Sequence, residues 1–251
     1  MLTTPLEQFQ IISFFPIQLF CLDLSFTNLF FINLIVLFFC VLIIHFISSE
    51  DSTLFFLPSN WQNIIENIYE IGHTLLFDNL NIKGEKYFPF ISILFIYILL
   101  ANLIGLVPYS FTITSHLIVT FILSFSIFIG LNIICINIYK SEMLSLFIPS
   151  NTSFGLALLL VPIEFVSYIF KPISLGVRLF ANLMAGHTLL KVIVGFSWSM
   201  LLLESLLSMF HIIPLLILVI LMGLELGVAI IQAYVFTILT CIYLNDSINL
   251  H

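Results

Sequence analysis

Charge is what this sequence has least of: six Lys and Arg against 13 Asp and Glu in 251 residues. Only 8% of residues are charged, where a soluble domain carries about 25%. Six scattered cations cannot build a basic patch, which excludes a nucleic-acid surface. No GxxxxGK[ST] loop is present to cradle a triphosphate, so nucleotide hydrolysis is excluded from this chain. Cys21, Cys40, Cys135 and Cys241 stand far apart without a CxxC or His-linked spacing, and are read as small apolar fillers rather than metal ligands or a redox pair. No helix carries two His suitably spaced for haem, and neither a cofactor nor a metal is expected. The opening MLTTPLEQF lacks a basic n-region and is not Arg-rich, so neither a secretory signal nor a transit peptide is read there.

What the chain has is apolar length. Hydrophobic residues make up 61% of it, against about 45 to 50% in soluble domains, and it reads as one all-α polytopic membrane domain over residues 1–251. Pro5 and Pro16 break any long helix before residue 27. Residues 28–47, 88–107 and 118–139 each supply the ~20 apolar residues that cross ~30 Å of hydrocarbon. Pro108 ends the second crossing, and Asn102, Ser110, Thr112, Thr114 and His116 around the following loop have the chemistry to hold water or simply to cap a turn. Between the first two crossings, residues 60–79 set Trp61, Ile64, Ile65, Ile68, Leu75 and Leu76 at helical spacing against Asn63, Glu66, Asn67, Glu70 and Thr74, which predicts an amphipathic helix on the membrane surface. Glu66, Glu70 and His73 are read as part of its solvated face.

Loop charges give an orientation. Segments 1–26 and 109–116 hold no Lys or Arg, whereas 49–87 holds Lys83 and Lys86 and 140–151 holds Lys140. The basic side is retained inside, so the N-terminus is expected outside.

Residues 152–196 and 200–244 are each about 45 residues long, roughly 65 Å as helix and twice the bilayer. Each is two short spans, or one long helix bent near Pro162, Pro172 or Pro214 and steeply tilted; the spacing permits both. The first contains EFVSYIFKPISLGVRLFANLMAGH, residues 164–187. An arginine at a bilayer centre costs at least about 2.5 to 3.5 kcal/mol, so Arg178 demands a reason. Glu164, Lys171 and Arg178 recur every seven positions within roughly 40° on a helix, Asn182 lies one turn beyond Arg178, and His187 lies on the opposite face. In the second segment Glu225 and Gln232, also seven apart, share a face that can meet Arg178, Asn182 and His187 if the segments run antiparallel. Glu225 and His187 can carry protons; a guanidinium stays charged and can both pair with a carboxylate and bar a proton.

The run SLGVRLFANLMAGHTLL and the closing LELGVAIIQAYVFTILTCIYLNDSINLH, with TPLEQFQI and NLIGLVPYSFTITSH, resemble subunit a of the F-type ATP synthases, in its mitochondrial form, along the whole chain. The resemblance implies a horizontal hairpin of two long helices turning near Ser197 against a ring of c subunits. It assigns proton translocation to positions matching Arg178, Asn182, His187, Glu225 and Gln232, with Glu164 and Asp246 as polar channel positions. It implies a non-catalytic subunit in the mitochondrial inner membrane with its N-terminus in the intermembrane space. Partners would be the c ring, the peripheral stalk, other membrane-sector subunits and the bilayer. His187, Glu225 and Asp246 are expected to serve the outer channel and Glu164 the matrix channel. The rival reading is an ion-pathway subunit of a redox-driven or antiporter-like pump; such a chain would carry ionisable residues in several successive spans, and here the first three hold almost none besides His45.

Overall fold

The computed structural model describes residues 7–19, 22–48, 60–107, 110–140, 154–202 and 210–248. Six α-helices dominate them: α1 (Asn28–Ser48), α2 (Asn60–Leu80), α3 (Phe88–Gly105), α4 (Leu117–Tyr139), α5 (Phe154–Leu201) and α6 (Ile212–Ile248). All but α2 are long and apolar enough to cross a membrane, so the chain is an all-α, polytopic membrane protein.

The long segments are one helix each. α5 has 48 residues and continues through Pro162 and Pro172, and α6 has 37. At 1.5 Å per residue they extend ~72 and ~55 Å, so neither stands upright in ~30 Å of hydrocarbon. The reading of each as two short spans is thereby removed. The turn does not fall at Ser197, because α5 runs on to Leu201; nothing there breaks a helix, and Ser199 donates its hydroxyl back to the Phe196 carbonyl at 2.8 Å. α6 begins at Ile212 rather than near residue 200, and residues 203–209 lie outside the described residues, as does Pro108.

The chain divides into two compact units. One comprises Met1–Phe56, Ile96–His116 and Leu179–Ala233. In it, short strands pair before α1: β1 (Ser13–Phe15) with β4 (Phe26–Thr27), and β2 (Gln18–Leu19) with β3 (Leu22–Asp23), both antiparallel. The sequence signals only an absence of helix there. Asn28 fixes the start of α1, accepting from the Ile12 and Leu29 amides and donating to the Gln10 carbonyl. Tyr97 donates to Asn33 Oδ1 at 2.9 Å, joining α3 to α1 inside an apolar setting that makes an unmet hydroxyl costly. Val36, Ile98, Leu179, Leu183 and Ala233 are buried, while Phe30, Phe31, Leu34, Phe38 and Val41 of α1 are exposed, as suits a lipid-facing helix.

The other unit comprises Leu57–Phe95, Leu117–Arg178 and Tyr234–His251. α2 buries Leu75, Leu76 and Leu80 and exposes Glu66, Glu70 and His73, while Ile64, read as part of the apolar face, is exposed. The His73 ring stacks on Phe77. Gly84, in the 3-10 turns of Asn81–Tyr87, sits against Leu80 and Leu76, where a Cβ would come within 2.5 Å of Leu80 Cβ. Gly176 lets α5 lie on α4: a Cβ there would meet Ser124 Oγ at 2.8 Å and the Thr120 carbonyl oxygen at 3.1 Å.

Candidate functional site

In the first unit, α5 and α6 run antiparallel and bring three of the predicted residues, Asn182, Gln232 and Glu225, to their contact. Asn182 Nδ2 donates to Gln232 Oε1 at 2.9 Å, and Gln232 is buried. One helical turn further along α5, Gly186 faces Glu225 so closely that a Cβ would lie 2.4 Å from its Oε1. Both Glu225 carboxyl oxygens and His187 Nε2 are buried and have no hydrogen-bond partner among the described residues. In a low-dielectric setting such atoms are costly, and they are groups that can take up and release a proton. α3 joins this side through Asn102, fully buried, whose Nδ2 donates to the Ala229 carbonyl at 3.2 Å while its Oδ1 has no partner.

Residues 110–116, beyond α3, carry polar atoms to spare. Ser110 donates to the carbonyl of Ile104 at 2.6 Å, meeting one of the acceptors a helix end leaves open. Thr112 bonds Ser115, and the Thr114 hydroxyl and His116 Nε2 are buried with no partner among the described residues. His116 stacks on Phe111 at 5.0 Å, and burial pushes its pKa below the ordinary 6.5. The folded loop therefore prefers the neutral ring: its stability is full above about pH 6.5 and falls as acidification proceeds through the lower folded pKa. Amide exchange over residues 110–116, corrected for intrinsic rate, is expected to quicken between pH 7.5 and 5.5, and His116→Gln is expected to flatten that response.

In the second unit, Lys171 Nζ lies 3.2 Å from Asp246 Oδ2 and forms an ion pair with it. Its ammonium also sits 5.0 Å from the ring of Tyr243 and 5.5 Å from that of Tyr168, within cation–π range. Tyr168 donates to Asn132 Oδ1 at 2.5 Å, tying this stretch of α5 to α4. Glu164 and Arg178 are exposed. Asp246, expected to serve the outer channel with His187 and Glu225, is the partner of Lys171. Lys171→Leu strands that carboxylate and is expected to lower assembled subunit a few-fold on blotting, and Asp246→Asn in the same chain to restore it.

Gly186 and the Lys171–Asp246 pair are what sequence reasoning missed. A helical Gly costs about 1 kcal/mol relative to Ala, and Gly186 lies one turn after Asn182 on the same face, which is the available signal. The pair leaves none, because the depth at which two helices meet is not written in either one.

A family model described as ATP synthase A chain matches residues 29–245. The chain is 50% identical to ATP synthase subunit a of Chondrus crispus, covering 100% of this chain and 98% of that protein. It is 50% identical to ATP synthase subunit a of Pylaiella littoralis, covering 100% of both. To ATP synthase subunit a of Marchantia polymorpha it is 45% identical, again over 100% of both.

Proposed function

For this chain, which belongs to the ATP synthase A chain family and is a proton-channel subunit of that complex's membrane sector, we propose a mechanism of two offset half-channels separated by Arg178. The relatives' names favour this over a redox-driven pump. The observation that carries it is the guanidinium itself. Arg178 is exposed on a membrane helix, and among the described residues no carboxylate pairs with it. Such a charge is costly in lipid, so its carboxylate comes from outside the chain. On α5 the positions around it are small and exposed, namely Ser174, Ala181 and Ala185, which lets another helix approach closely. The partner is a ring of c subunits whose carboxylates pass Arg178 in turn; catalysis on nucleotide belongs to other subunits of the complex.

Protons reach a ring carboxylate by way of Glu225 and His187, with Asn182 and Gln232 holding the two helices in register beside them. They leave past Glu164 on the opposite, matrix side, while Asp246 serves the outer side with His187 and Glu225. The fixed positive charge between the two paths bars direct transfer and releases each ionised ring carboxylate only as the next one arrives. Each elementary charge crossing 100 mV supplies about 2.3 kcal/mol, which the ring turns into rotation. By the positive-inside rule the N-terminus faces the intermembrane space of the mitochondrial inner membrane and the loop bearing Lys83 and Lys86 faces the matrix. The test is proton flux in liposomes holding the membrane sector. A carboxyl-blocking reagent acting on the ring is expected to abolish flux; flux that persists after full modification would mean protons cross this chain without the ring.

A further inference from the structure

We propose that the second unit carries a binding site for one anionic phospholipid, in a groove that the proton path does not use. The groove encloses about 200 Å³ and is walled by Tyr87 and Phe90 where α3 begins, Ile127, Gly130 and Ile134 on α4, and Leu244 near the end of α6. Its walls are apolar, and the hydroxyl of Ser126 that borders it is turned to its own helix, donating to the Leu123 carbonyl at 2.8 Å. At Gly130 nothing lies within 4 Å of where a Cβ would stand, so the space is open at the helix backbone. Lining from three helices that cross a membrane fits an acyl chain.

The charge at one end selects the head. α3 starts there, α4 stops there, and the Tyr139 hydroxyl donates to the Ile248 carbonyl, tying the ends of α4 and α6 together. Lys86 and Lys140 are both exposed at these ends. The Lys86 ammonium lies 4.8 Å over the ring of Tyr87, a wall of the groove. Lys140 takes a left-handed conformation, φ 49°, as α4 terminates. The acids nearby do not cancel them: Asp246 is already paired with Lys171, and Glu85 is a single exposed carboxylate. Two cations without an ion-pair partner among the described residues, beside an apolar slot, are complementary to an anionic head on an acyl tail. Because lipid tails are as apolar as the groove walls, the tail supplies fit and the lysines supply the preference.

The experiment uses the intact ATP synthase containing this chain, in phosphatidylcholine nanodiscs doped with a photoactivatable phosphatidylglycerol or, separately, a photoactivatable phosphatidylcholine. Adducts are mapped by mass spectrometry after photolysis. The phosphatidylglycerol probe is expected to label peptides containing Phe90 and Ile134 several-fold more than the phosphatidylcholine probe. Lys86→Gln with Lys140→Asn, the latter tolerating the left-handed backbone, is expected to erase that preference. Gly130→Phe, which fills open space, is expected to remove labelling by both probes, with Ile134→Trp as a second filling variant. Equal labelling by the two probes overturns the selectivity. Undiminished labelling in assembled filling variants overturns the site, as does no labelling at all, which would mean that a protein segment covers the groove.

Discussion

Arg178→Lys is expected to assemble at normal level and to lose proton-driven ATP synthesis by about 10²- to 10³-fold. The change keeps the formal charge, so a view that counts charges expects little. The difference lies in chemistry: an ammonium is readily neutralised in dry surroundings and a guanidinium is not. Lysine also lacks the planar fork that holds a carboxylate by two parallel bonds while a helix slides past. An ion pair at ~4 Å is worth about 4 kcal/mol at an effective dielectric of 20, and 1.36 kcal/mol is tenfold, which sets the size of the loss. Arg178→Ala is expected in addition to leak protons, since nothing then bars the direct path. ATP synthesis and passive proton flux are measured in the same vesicles, with subunit content checked by blotting. Near-normal synthesis by a fully assembled Lys variant would reduce Arg178 to a structural pairing residue.

Much of this arrangement is legible in the sequence because the membrane restricts the options. The spans 28–47, 88–107 and 118–139 read from hydropathy and length differ from α1, α3 and α4 by at most two residues at any end: α1 ends one residue later, α3 two earlier, and α4 begins one earlier. The period of seven that puts Glu225 and Gln232 on one face is realised: Gln232 meets Asn182, and Glu225 meets the next turn of α5. What is not legible depends on register between helices. Nothing in the local pattern around Asp246 marks Lys171 as its partner, because each helix presents polar residues at several depths. The turn that the resemblance implies near Ser197 comes a few residues early, since α5 runs to Leu201. Serine is a weak helix former through its competing hydrogen bonds, and in α5 that competition is resolved within the helix, by Ser199 bonding Phe196.

Two glycines of α5 separate structural from functional demands, and they set up the second large effect. At Gly176 a Cβ would press on the Thr120 carbonyl oxygen, which is backbone, so Gly176→Val is expected to deplete the assembled subunit. At Gly186 the obstructing atoms belong to the Glu225 side chain, with Oε1 at 2.4 Å and Cδ at 3.0 Å from the Cβ position. The end of a flexible chain can move aside at little cost, so Gly186→Ala is expected to assemble normally. What moves, however, is the carboxyl group that the proposed path depends on. A misplacement of about 1 Å can cost roughly 10²-fold in a reaction that requires alignment, and ATP synthesis is expected to fall on the order of tenfold for Ala and further for Val. Glu225→Asp draws the carboxyl back by one methylene. Alone it is expected to impair synthesis, since the shorter acid no longer reaches the same point; combined with Gly186→Ala it is expected to recover part of the loss, because the shortened side chain clears the added methyl. Synthesis rates of the two single variants and the double, at matched subunit content, form the cycle. Losses that simply multiply would show that Gly186 and Glu225 act independently and that the close approach of α5 to the carboxyl has no part in proton transfer.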